Sequence, residues 1–330
     1  MTLPQRSNPR LASLTPGKTV VLANWRAGRV NRTAMCRIAG LLRLEDASIR
    51  EIGIHGSARA LAEEAVRRGV RCIVTAGGDG TLHEIIQVVA GTPTALGVLP
   101  LGTSNDLAQR IGIPDELDRA LSILHVGNMT SVDLLKIGRH RVATVGGFGL
   151  PAHVARECNE CRTQPIVGSA AGMLGGMVYS VGAALRIVRR GAQSAIYDIS
   201  ARQKGPARQQ ASAILVGLTK RFGGGLALSA EPPGPGTFAA LIVTASTRAA
   251  LLHTLVRLRC GGTAPRWTVR YSGLERLEIR TRSLVGAFGD GEWLGLRHRA
   301  VIAVEQAALR VIVPRASQAG RKAAAWQEAM

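Results

Sequence analysis

Glycines, one carboxylate and one hydroxyl are closely spaced in the segment Gly77-Gly78-Asp79-Gly80-Thr81. The apolar run Cys72–Ala76 before it predicts a buried strand, and Leu82–Ala90 after it predicts a helix. A glycine turn between a strand and a helix can bring backbone N–H groups against an anion at the positive helix N-terminus, so the pattern indicates a phosphate site. Because bound phosphates would repel Asp79, its carboxylate indicates Mg²⁺ or a metal-bound water between them. A plain tight turn is the alternative, since turns also favour Asp and Gly.

A second glycine turn follows the next apolar run of the chain. Leu96–Leu99 predicts a strand, and Pro100-Leu101-Gly102-Thr103-Ser104-Asn105-Asp106 follows it, before an amphipathic stretch that begins at Leu107. The two strand-to-turn segments lie about 25 residues apart, the separation of a βαβ unit, which places neighbouring strand ends at the same edge of a parallel sheet. We therefore expect both turns to converge on one ligand.

Four segments together resemble the diacylglycerol kinase catalytic family, which includes bacterial lipid kinases and the sphingosine and ceramide kinases. In chain order they are Asn24…Gly28, Gly77–Glu84, Pro100–Ala108 and Gly289–Glu292. The resemblance runs from about Val20 to about Val313, which is nearly the whole chain. It implies a lipid kinase that uses ATP and Mg²⁺, and it is specific for the family but not for the lipid.

The resemblance implies a nucleotide site made of three turns. Asn24 and Gly28 belong to the first turn, although Trp25 stands where the family usually has proline. The second turn would hold the triphosphate, with Asp79 as the metal residue that acts through nucleotide-bound Mg²⁺ or water, and the third would supply Thr103 as a hydroxyl donor. The full set of cofactor-binding residues implied in this way is Asn24, Gly28, Gly77, Gly78, Asp79, Gly80, Thr81, Gly102, Thr103 and Asn105.

The segment Gly289-Asp290-Gly291-Glu292 resembles the part of the family that carries the catalytic residues. Asp290 resembles the proposed general base and Glu292 its polar neighbour, and Asp79 completes the catalytic set. A base must lie within hydrogen-bond reach of the acceptor hydroxyl, so we expect the lipid hydroxyl between Asp290 and the γ-phosphate. An Asp-Gly pair between two apolar runs also predicts a β-hairpin turn, and the two roles are compatible.

Composition limits the classes of partner. The 330 residues are 46% hydrophobic, so the chain can bury a substantial core, most simply in two domains. The 42 basic and 22 acidic residues give a net charge of +20, which favours an anionic partner. Aromatic residues make up only 3%, which argues against base stacking and hence against nucleic acid. An anionic membrane surface is the favoured partner beside the lipid substrate, and a general bias toward arginine is the alternative explanation.

The order of strand-like and helical segments along the sequence predicts an α/β N-terminal domain followed by a β-rich domain. Strand-like and helical runs alternate from Lys18 to about Met129, which predicts a Rossmann-like parallel sheet, similar in the resembled family to phosphofructokinase and NAD kinase. From Val132, short runs separated by glycine or proline predict a β-sandwich-type domain. The predicted domains are a flexible N-terminus (1–17), a nucleotide-binding catalytic domain (18–130), a lipid-substrate domain (131–314) and a basic tail (315–330). The predicted strands include Ile49–Ile54, Val142–Val145, Leu277–Thr281 and Leu309–Val313, the last packed on the first domain.

Cysteine use and the N-terminal sequence predict the compartment. Five cysteines, an odd number in a chain of this size, favour a reducing compartment. Met1–Pro16 lacks the continuous apolar run of a signal peptide, so we expect a cytoplasmic protein peripherally associated with the inner face of the membrane. Cys158 and Cys161 form one C-x-x-C near His153, but no second pair completes a zinc site, which favours ordinary thiols. The oligomeric state is open, with a homodimer as one alternative.

One uncharged segment, Thr163–Leu185, is long enough to span a bilayer. Its five glycines and modest hydropathy favour a soluble helix instead. The resemblance implies a helix near the lipid cleft that starts at Leu174–Tyr179, where it would supply an apolar wall for an acyl chain.

Two departures from the family pattern bear on the expected metal sites and on the expected substrate class. Pro235-Gly236 stands where an Asp-Gly pair follows the glycine-rich strand, here Gly223–Ala230. Some bacterial members bind a structural Mg²⁺ through that Asp, so we expect no second metal here. Pro151 stands where many members, including sphingosine kinases, carry an Asp, which disfavours an amine-bearing substrate. We therefore expect a neutral hydroxylipid such as diacylglycerol, ceramide or a related glycolipid.

Two further function classes stay open. An NAD kinase shares the Gly-Gly-Asp-Gly turn, and a non-catalytic nucleotide or lipid sensor would tolerate Pro151 and Pro235. The two later segments of the resemblance follow the lipid-kinase pattern, and Asp79 and Asp290 are both present. These features favour an ATP-dependent lipid kinase.

Overall fold

The computed structural model describes residues 18–42, 48–162, 178–191, 193–201, 204–222, 225–260 and 265–315. Four predictions concern residues outside these ranges: the N-terminus 1–17, the tail from 316, residues 163–177 of the apolar segment, and positions 223 and 224 of the glycine-rich strand. The chain divides into two compact units. The first comprises the described residues up to Val132 and those from Ala307 onward, and the second comprises Asp133–Gln306.

The first unit is an α/β structure. Its strands are β1 (Thr19–Ala23), β2 (Ile49–Glu51), β3 (Cys72–Gly77) and β4 (Ala95–Pro100), and its helices are α1 (Arg32–Leu42), α2 (Ala58–Arg67), α3 (Asp79–Val89), α4 (Asp106–Arg110) and α5 (Leu117–Val126). Strand β5 (Asn128–Ile137) then leads into the second unit. The strand order β2-β1-β3-β4 is parallel throughout, so the carboxyl ends of all four strands meet at one edge.

The sequence explains these elements locally. Every residue of β3 and β4 is buried, because parallel strands covered on both faces need apolar residues at consecutive positions. Helix α2 starts where the Ser57 side chain accepts a hydrogen bond from the Ala60 amide, 3.2 Å away. The chain also returns to this sheet at its far end, since Val311 pairs in parallel with Leu96.

The second unit is rich in antiparallel strands. Its remaining strands are β6 (His140–Val142), β7 (Val145–Gly149), β8 (Ala195–Ala201), β9 (Lys204–Ala211), β10 (Ala213–Gly217), β11 (Arg221–Phe222), β12 (Leu226–Ala227), β13 (Phe238–Val243), β14 (Thr268–Leu274), β15 (Arg276–Gly289) and β16 (Glu292–Val313, whose residues from Ala307 belong to the first unit). Its helices are α6 (Leu150–Arg162), α7 (Val178–Arg190) and α8 (Arg248–Cys260). The main sheet has the order β14-β13-β10-β7-β15-β16, with β8 and β9 added beside β15.

Two hydrophobic clusters cover the two faces of this sheet. Ile214 and Ile242 belong to one cluster, whereas their neighbours Leu215 and Leu241 belong to the other, which also contains residues of α6, α7 and α8. Alternate residues of one strand point to opposite faces, so both faces of β10 and β13 are buried. This explains why these strands are continuous apolar runs in the sequence.

The predicted fold class, an α/β domain followed by an antiparallel β-rich region, is confirmed. Two predicted strands were wrong in extent. Ile49–Ile54 ends at Glu51, where a turn begins, and Leu277–Thr281 lies in the first half of the 14-residue strand β15. Val142–Val145 is not one strand, because β6 ends at Val142 and β7 begins at Val145. The two residues between them donate hydrogen bonds to a side chain instead of to a strand.

Candidate active site

The turn after β1 is tied to the start of α3 by a side-chain hydrogen bond. The Asn24 amide nitrogen Nδ2 donates to the Thr81 hydroxyl at 2.8 Å. The Asn24 oxygen accepts a bond from the Arg26 amide at 3.0 Å, and the Asn24 backbone N–H donates to the Ala76 carbonyl at 2.9 Å. Asn24 therefore spans two neighbouring strand ends, and two of the predicted site residues lie in contact.

The two glycine turns also touch each other. A Cβ added at Gly102 would overlap the Cα of Gly78, and one added at Gly78 would lie 3.1 Å from the Cα of Gly102. Real Cβ atoms are almost never found as close to backbone as the one at Gly102 would be, so this position requires glycine, whereas at Gly78 a Cβ would fit only if its neighbour shifted. The two turns therefore lie side by side, and their convergence on one ligand stays a prediction.

The Asn105 side chain holds the second loop together through hydrogen bonds within the loop. Its backbone has φ 52°, a left-handed conformation that Asn tolerates, and only 2% of the residue is exposed. Its side-chain oxygen accepts from the Gly102 amide at 3.0 Å, and its nitrogen donates to the Pro100 carbonyl and to Asp115 Oδ1 at 3.2 and 3.0 Å. Asn105 thus shapes the loop through its own bonds, while Thr103 lies exposed on the same loop.

Arg29 joins the first turn to this loop, and sequence reasoning missed it. Its guanidinium donates to the carbonyls of Pro100 and Gly102 at 2.7 and 3.3 Å, and its backbone N–H donates to the Leu101 carbonyl at 3.2 Å. The neighbouring Gly28 is exposed, with no atom near the position of a Cβ. No motif marks an arginine that binds carbonyl groups, so only the fold reveals this role.

The N-terminus of α3 has the features that phosphate binding needs. The helix begins at Asp79, its N-cap residue Gly78 has no side chain to bond the first-turn amides, and its first turn contains Gly80 and Thr81. Such amides and the helix dipole favour an anion. Asp79 is half-buried at this end. Mg²⁺ is commonly held by one or two carboxylates together with phosphates and water, so Asp79 fits the metal that a nucleotide carries. Among the described residues, no three or more His, Cys, Asp or Glu side chains lie together in a group that could hold a metal ion.

The second unit contains the other predicted catalytic residues, in the hairpin between β15 and β16. Gly289 pairs with Glu292, and the two residues between them, Asp290 and Gly291, have φ 52° and 82°. Positive φ at both positions is typical of a type I′ turn, as the Asp-Gly pair predicted. The hairpin therefore explains the turn sequence, while leaving the Asp290 side chain for another role.

Bonds from one loop orient the Asp290 carboxylate. Its Oδ1 accepts from the Thr144 amide and hydroxyl, both at 2.8 Å, and its Oδ2 accepts from the Ala143 amide at 2.8 Å. The Asp290 backbone N–H donates to the Val145 carbonyl at 2.8 Å. Ala143 and Thr144 are the residues that interrupt the predicted strand Val142–Val145, so the break has a clear cause. The side chain is fixed in one orientation rather than free to rotate.

Helix α6 supports the same hairpin through Asn159, a second residue that sequence reasoning missed. Its side-chain nitrogen donates to the Gly291 carbonyl at 3.1 Å and to Glu292 Oε2 at 3.0 Å. The Tyr179 hydroxyl lies against Gly291, where a Cβ would overlap it. An Asn on a helix has no sequence signature for such a role. These contacts make Asn159 the link between α6 and the predicted catalytic turn.

An aromatic and cationic cluster follows the hairpin. The His153 ring lies 5.7 Å from the Trp293 ring, and the Arg156 guanidinium lies 5.6 Å from its centre. Burial lowers the pKa of His153 below its usual value, Arg186 and Arg156 lower it further, and Glu157 opposes this shift. A neutral imidazole therefore packs beside Trp293 near neutral pH.

Four of the five cysteines and the loop around Gly236 are described by the structure. Cys36, Cys72, Cys158 and Cys260 are free thiols, and burial raises the pKa of Cys72 to about 12. The side chain of Cys161 lies outside the described residues. At the predicted position of the absent Asp, the Gly236 amide donates to Asp133 Oδ2 at 2.7 Å. No helix in the described part of the chain is long and apolar enough to cross a bilayer.

Comparisons with known proteins show which proteins this chain resembles. Residues 18–137 match the model of the diacylglycerol kinase catalytic domain. A "Probable lipid kinase YegS-like" of Citrobacter koseri is 41% identical over 120 residues, which are 33% of this chain and 40% of that protein. A "Probable lipid kinase YegS" of Salmonella heidelberg is 42% identical over 102 residues, 28% of this chain and 34% of that protein. The matched part thus spans two fifths or less of these relatives.

A solved structure extends the likeness in fold. The crystal structure of a putative diacylglycerol kinase from Bacillus anthracis str. Sterne has a TM-score of 0.71 and 19% sequence identity, and the match covers 91% of this chain and 98% of that chain. At this identity, the likeness establishes the fold of both units but not the chemistry. Residues 18–137, about a third of the chain, are thus similar to the diacylglycerol kinase catalytic domain.

Proposed function

We propose that this protein is an ATP- and Mg²⁺-dependent lipid kinase that transfers the γ-phosphate to a hydroxyl of a neutral lipid such as diacylglycerol or ceramide. The observation that carries the proposal is the contact between Gly78 and Gly102 beside the N-terminus of α3. It lies within the segment that matches a diacylglycerol kinase catalytic domain. A tight turn without function would not need a second glycine turn packed against its backbone.

The residues of the first unit bind and orient the nucleotide. The amides at the start of α3 hold the phosphates, and the exposed Thr103 hydroxyl donates to the nucleotide from the second loop. Asn24, Arg29 and Asn105 keep the three turns in register. When Mg²⁺ is bound beside Asp79, it supplies charge neutralisation for the transferred phosphoryl group.

Asp290 accepts the proton of the lipid hydroxyl. As the hydroxyl oxygen forms its bond to the γ-phosphorus, the bond from that phosphorus to the bridging oxygen breaks and ADP leaves. The proton passes to the Asp290 carboxylate, which the Ala143 and Thr144 donors hold in a fixed orientation. Glu292, held by Asn159, is a polar neighbour of this base.

The residue at the start of α6 favours one class of lipid substrate. Pro151 occupies its first turn, where proline fits the backbone but offers no charge. A substrate with an ammonium group would lack a carboxylate partner at this position, so a neutral hydroxylipid is the better fit. The substrate lies in a bilayer, so we propose that the enzyme acts from the cytoplasm as a peripheral protein of the inner membrane face.

The proposal is tested by phosphate transfer from γ-labelled ATP to diacylglycerol, ceramide, sphingosine and a glycolipid in mixed micelles. NAD serves as the soluble acceptor, and a parallel reaction contains EDTA. We expect a labelled neutral lipid that disappears with EDTA. Labelled NAD would instead indicate an NAD kinase, and no labelled acceptor with intact ATP binding would indicate a nucleotide sensor.

A further inference from the structure

Helix α7 exposes an apolar stripe on the side away from its buried face. Val181, Leu185 and Val188 are 38%, 50% and 56% exposed, and their spacing of four and three residues places them on one side of the helix. Arg186 and Ile187, on the opposite side, are 8% and 1% exposed. A surface helix normally carries polar residues where α7 carries these three, so the stripe needs an explanation.

Helix α8 also exposes an apolar side chain. It packs beside α7 and exposes 57% of Val256. Arg248, its first residue, lies at the C-terminal end of α7, because a Cβ at Gly191 would be 3.2 Å from the Arg248 Nε atom. Four large apolar side chains on two adjacent helices therefore face the solvent. We call these residues and the arginines around them the α7–α8 face.

The charge of the two helices has one sign. Together they contain six arginines and no Asp or Glu: Arg186, Arg189, Arg190, Arg248, Arg257 and Arg259. On the neighbouring α6, Glu157 is paired with Arg186 and Glu160 with Arg156. Arg189 and Arg190 are exposed, and within the described residues no ion pair joins either of them to a carboxylate. Arg189, which borders the apolar stripe, and Arg190, at the C-terminal end of α7, thus add uncompensated positive charge beside the apolar side chains.

We infer that the α7–α8 face docks the protein on an anionic lipid bilayer. Apolar side chains that enter the acyl boundary and arginines that reach the headgroup phosphates are the features of an interfacial helix. A second copy of the chain is a poorer occupant, because a two-fold contact would oppose the arginines of one copy to the same arginines of the other. The inference deepens the proposed function and rests on it, since a kinase whose substrate lies in the bilayer must reach that surface.

The test is vesicle binding without ATP, measured by flotation with phosphatidylcholine vesicles and with vesicles that contain phosphatidylglycerol. We expect binding only to the anionic vesicles. Leu185→Ser with Val188→Ser should weaken it by about tenfold or more, because exposed methyl and methylene groups leave the lipid. Arg189→Gln with Arg190→Gln should weaken it by roughly 25-fold, at about fivefold per charge.

The matched control is Leu284→Ser with Leu296→Ser. These side chains are 53% and 47% exposed but lie on β15 and β16, so this variant should bind as the unchanged protein does. Thermal melts establish that all variants are folded. Equal binding by the Leu185→Ser, Val188→Ser variant and the control would overturn the inference, as would no binding to anionic vesicles. A dimer in light scattering that Leu185→Ser dissociates would identify the face as a contact between copies.

Phosphate transfer to a short-chain diacylglycerol in free solution separates this inference from the proposed function. The Arg189→Gln, Arg190→Gln variant should keep that transfer, since neither change concerns the nucleotide turns, the Asp290 hairpin or the apolar residues expected near the acyl chain. Loss of vesicle binding with transfer intact supports docking. Vesicle binding without phosphate transfer to any lipid would support the docking inference and contradict the proposed kinase activity.

Discussion

Gly102 is a residue at which any side chain would clash with its neighbours. A Cβ there would overlap Gly78 and approach the Asn105 Oδ1 atom to 2.9 Å, so the two turns would have to separate. We predict that Gly102→Ala lowers the free energy of unfolding by about 1–3 kcal/mol and weakens ATP binding by about tenfold or more. Calorimetric titration with ATP and Mg²⁺ measures the second effect.

Gly40→Ala is the control for this variant. Gly40 lies within α1, and a Cβ added there meets no atom within 4 Å, so ATP affinity should not change. Equal ATP affinity of Gly102→Ala and the unchanged protein would remove the second loop from the nucleotide site.

Single residues were predictable where a motif required them and not where the fold recruits them. The Asp-Gly pair at Asp290 predicted its turn, and the spacing of the two glycine turns predicted that both lie at the same edge of the sheet. The role of Ala143 and Thr144 as hydrogen-bond donors was not predictable, because a run of small and β-branched residues is equally typical of a strand. Asn159 and Arg29 bind through single polar groups that no spacing indicates.

At the scale of elements, α6 supports the hairpin that carries Asp290. We predict that Asn159→Ala lowers kcat between roughly 10-fold and 100-fold, because Gly291 and Glu292 lose a shared donor and the turn is less precisely placed. The affinity for ATP and the melting temperature should change little, and Asn159→Gln should recover part of kcat.

Glu160→Ala is the comparison for Asn159→Ala, because Glu160 lies on the same helix and pairs with Arg156 at the surface. An equal kcat for Asn159→Ala and Glu160→Ala would show that Asn159 has no positioning role. A large fall in melting temperature for Asn159→Ala alone would show that its role is structural.

The ion pair between Arg141 of β6 and Glu305 of β16 gives a pH dependence. Arg141 donates to both carboxylate oxygens of Glu305 at 2.7 and 2.9 Å, and these bonds hold the pKa of Glu305 below its usual value of 4.5. A lowered folded-state pKa stabilises the fold above pH 4.5, and this contribution is lost as the pH falls through the folded-state pKa. We predict that Glu305→Gln costs about 1 kcal/mol at pH 7 and almost nothing at pH 3.

Urea denaturation of both proteins at the two pH values measures this difference. Glu278→Gln is the comparison, because Glu278 pairs with Arg280 and Arg299 at the surface. A cost of Glu305→Gln that is the same at pH 3 and pH 7 would contradict the assignment to the ion pair.

Elements were predictable where burial determines the sequence. Strands β3 and β4 were predicted to within one residue at each end, because each is a continuous apolar run. Strands β15 and β16 were predicted only in part, since they extend through exposed residues such as Arg282 and His298. There the pairing of backbones, rather than burial of side chains, maintains the strand.

At the scale of the whole molecule, we propose that the two units have different roles. The first unit, which includes the returning end of β16, contains the three turns proposed to bind the nucleotide, and the second contains Asp290 and the α7–α8 face. Along the sequence, the change from alternating elements to short strands favours such a division. The net charge of +20 predicted an anionic surface as partner, but only the structure shows that α7 and α8 combine exposed arginines with apolar residues.

The division of work is tested most directly by Asp290→Asn, assayed for both ATP binding and phosphate transfer to the lipid identified in the panel. Asp198→Asn, at an exposed carboxylate of β8, is the matched control, and Thr144→Val removes one donor while keeping the base. We predict unchanged ATP affinity and a fall in kcat of about 10² or more for Asp290→Asn, a smaller fall for Thr144→Val, and none for Asp198→Asn. Full transfer by a folded Asp290→Asn protein would contradict the account, because the base would then lie elsewhere.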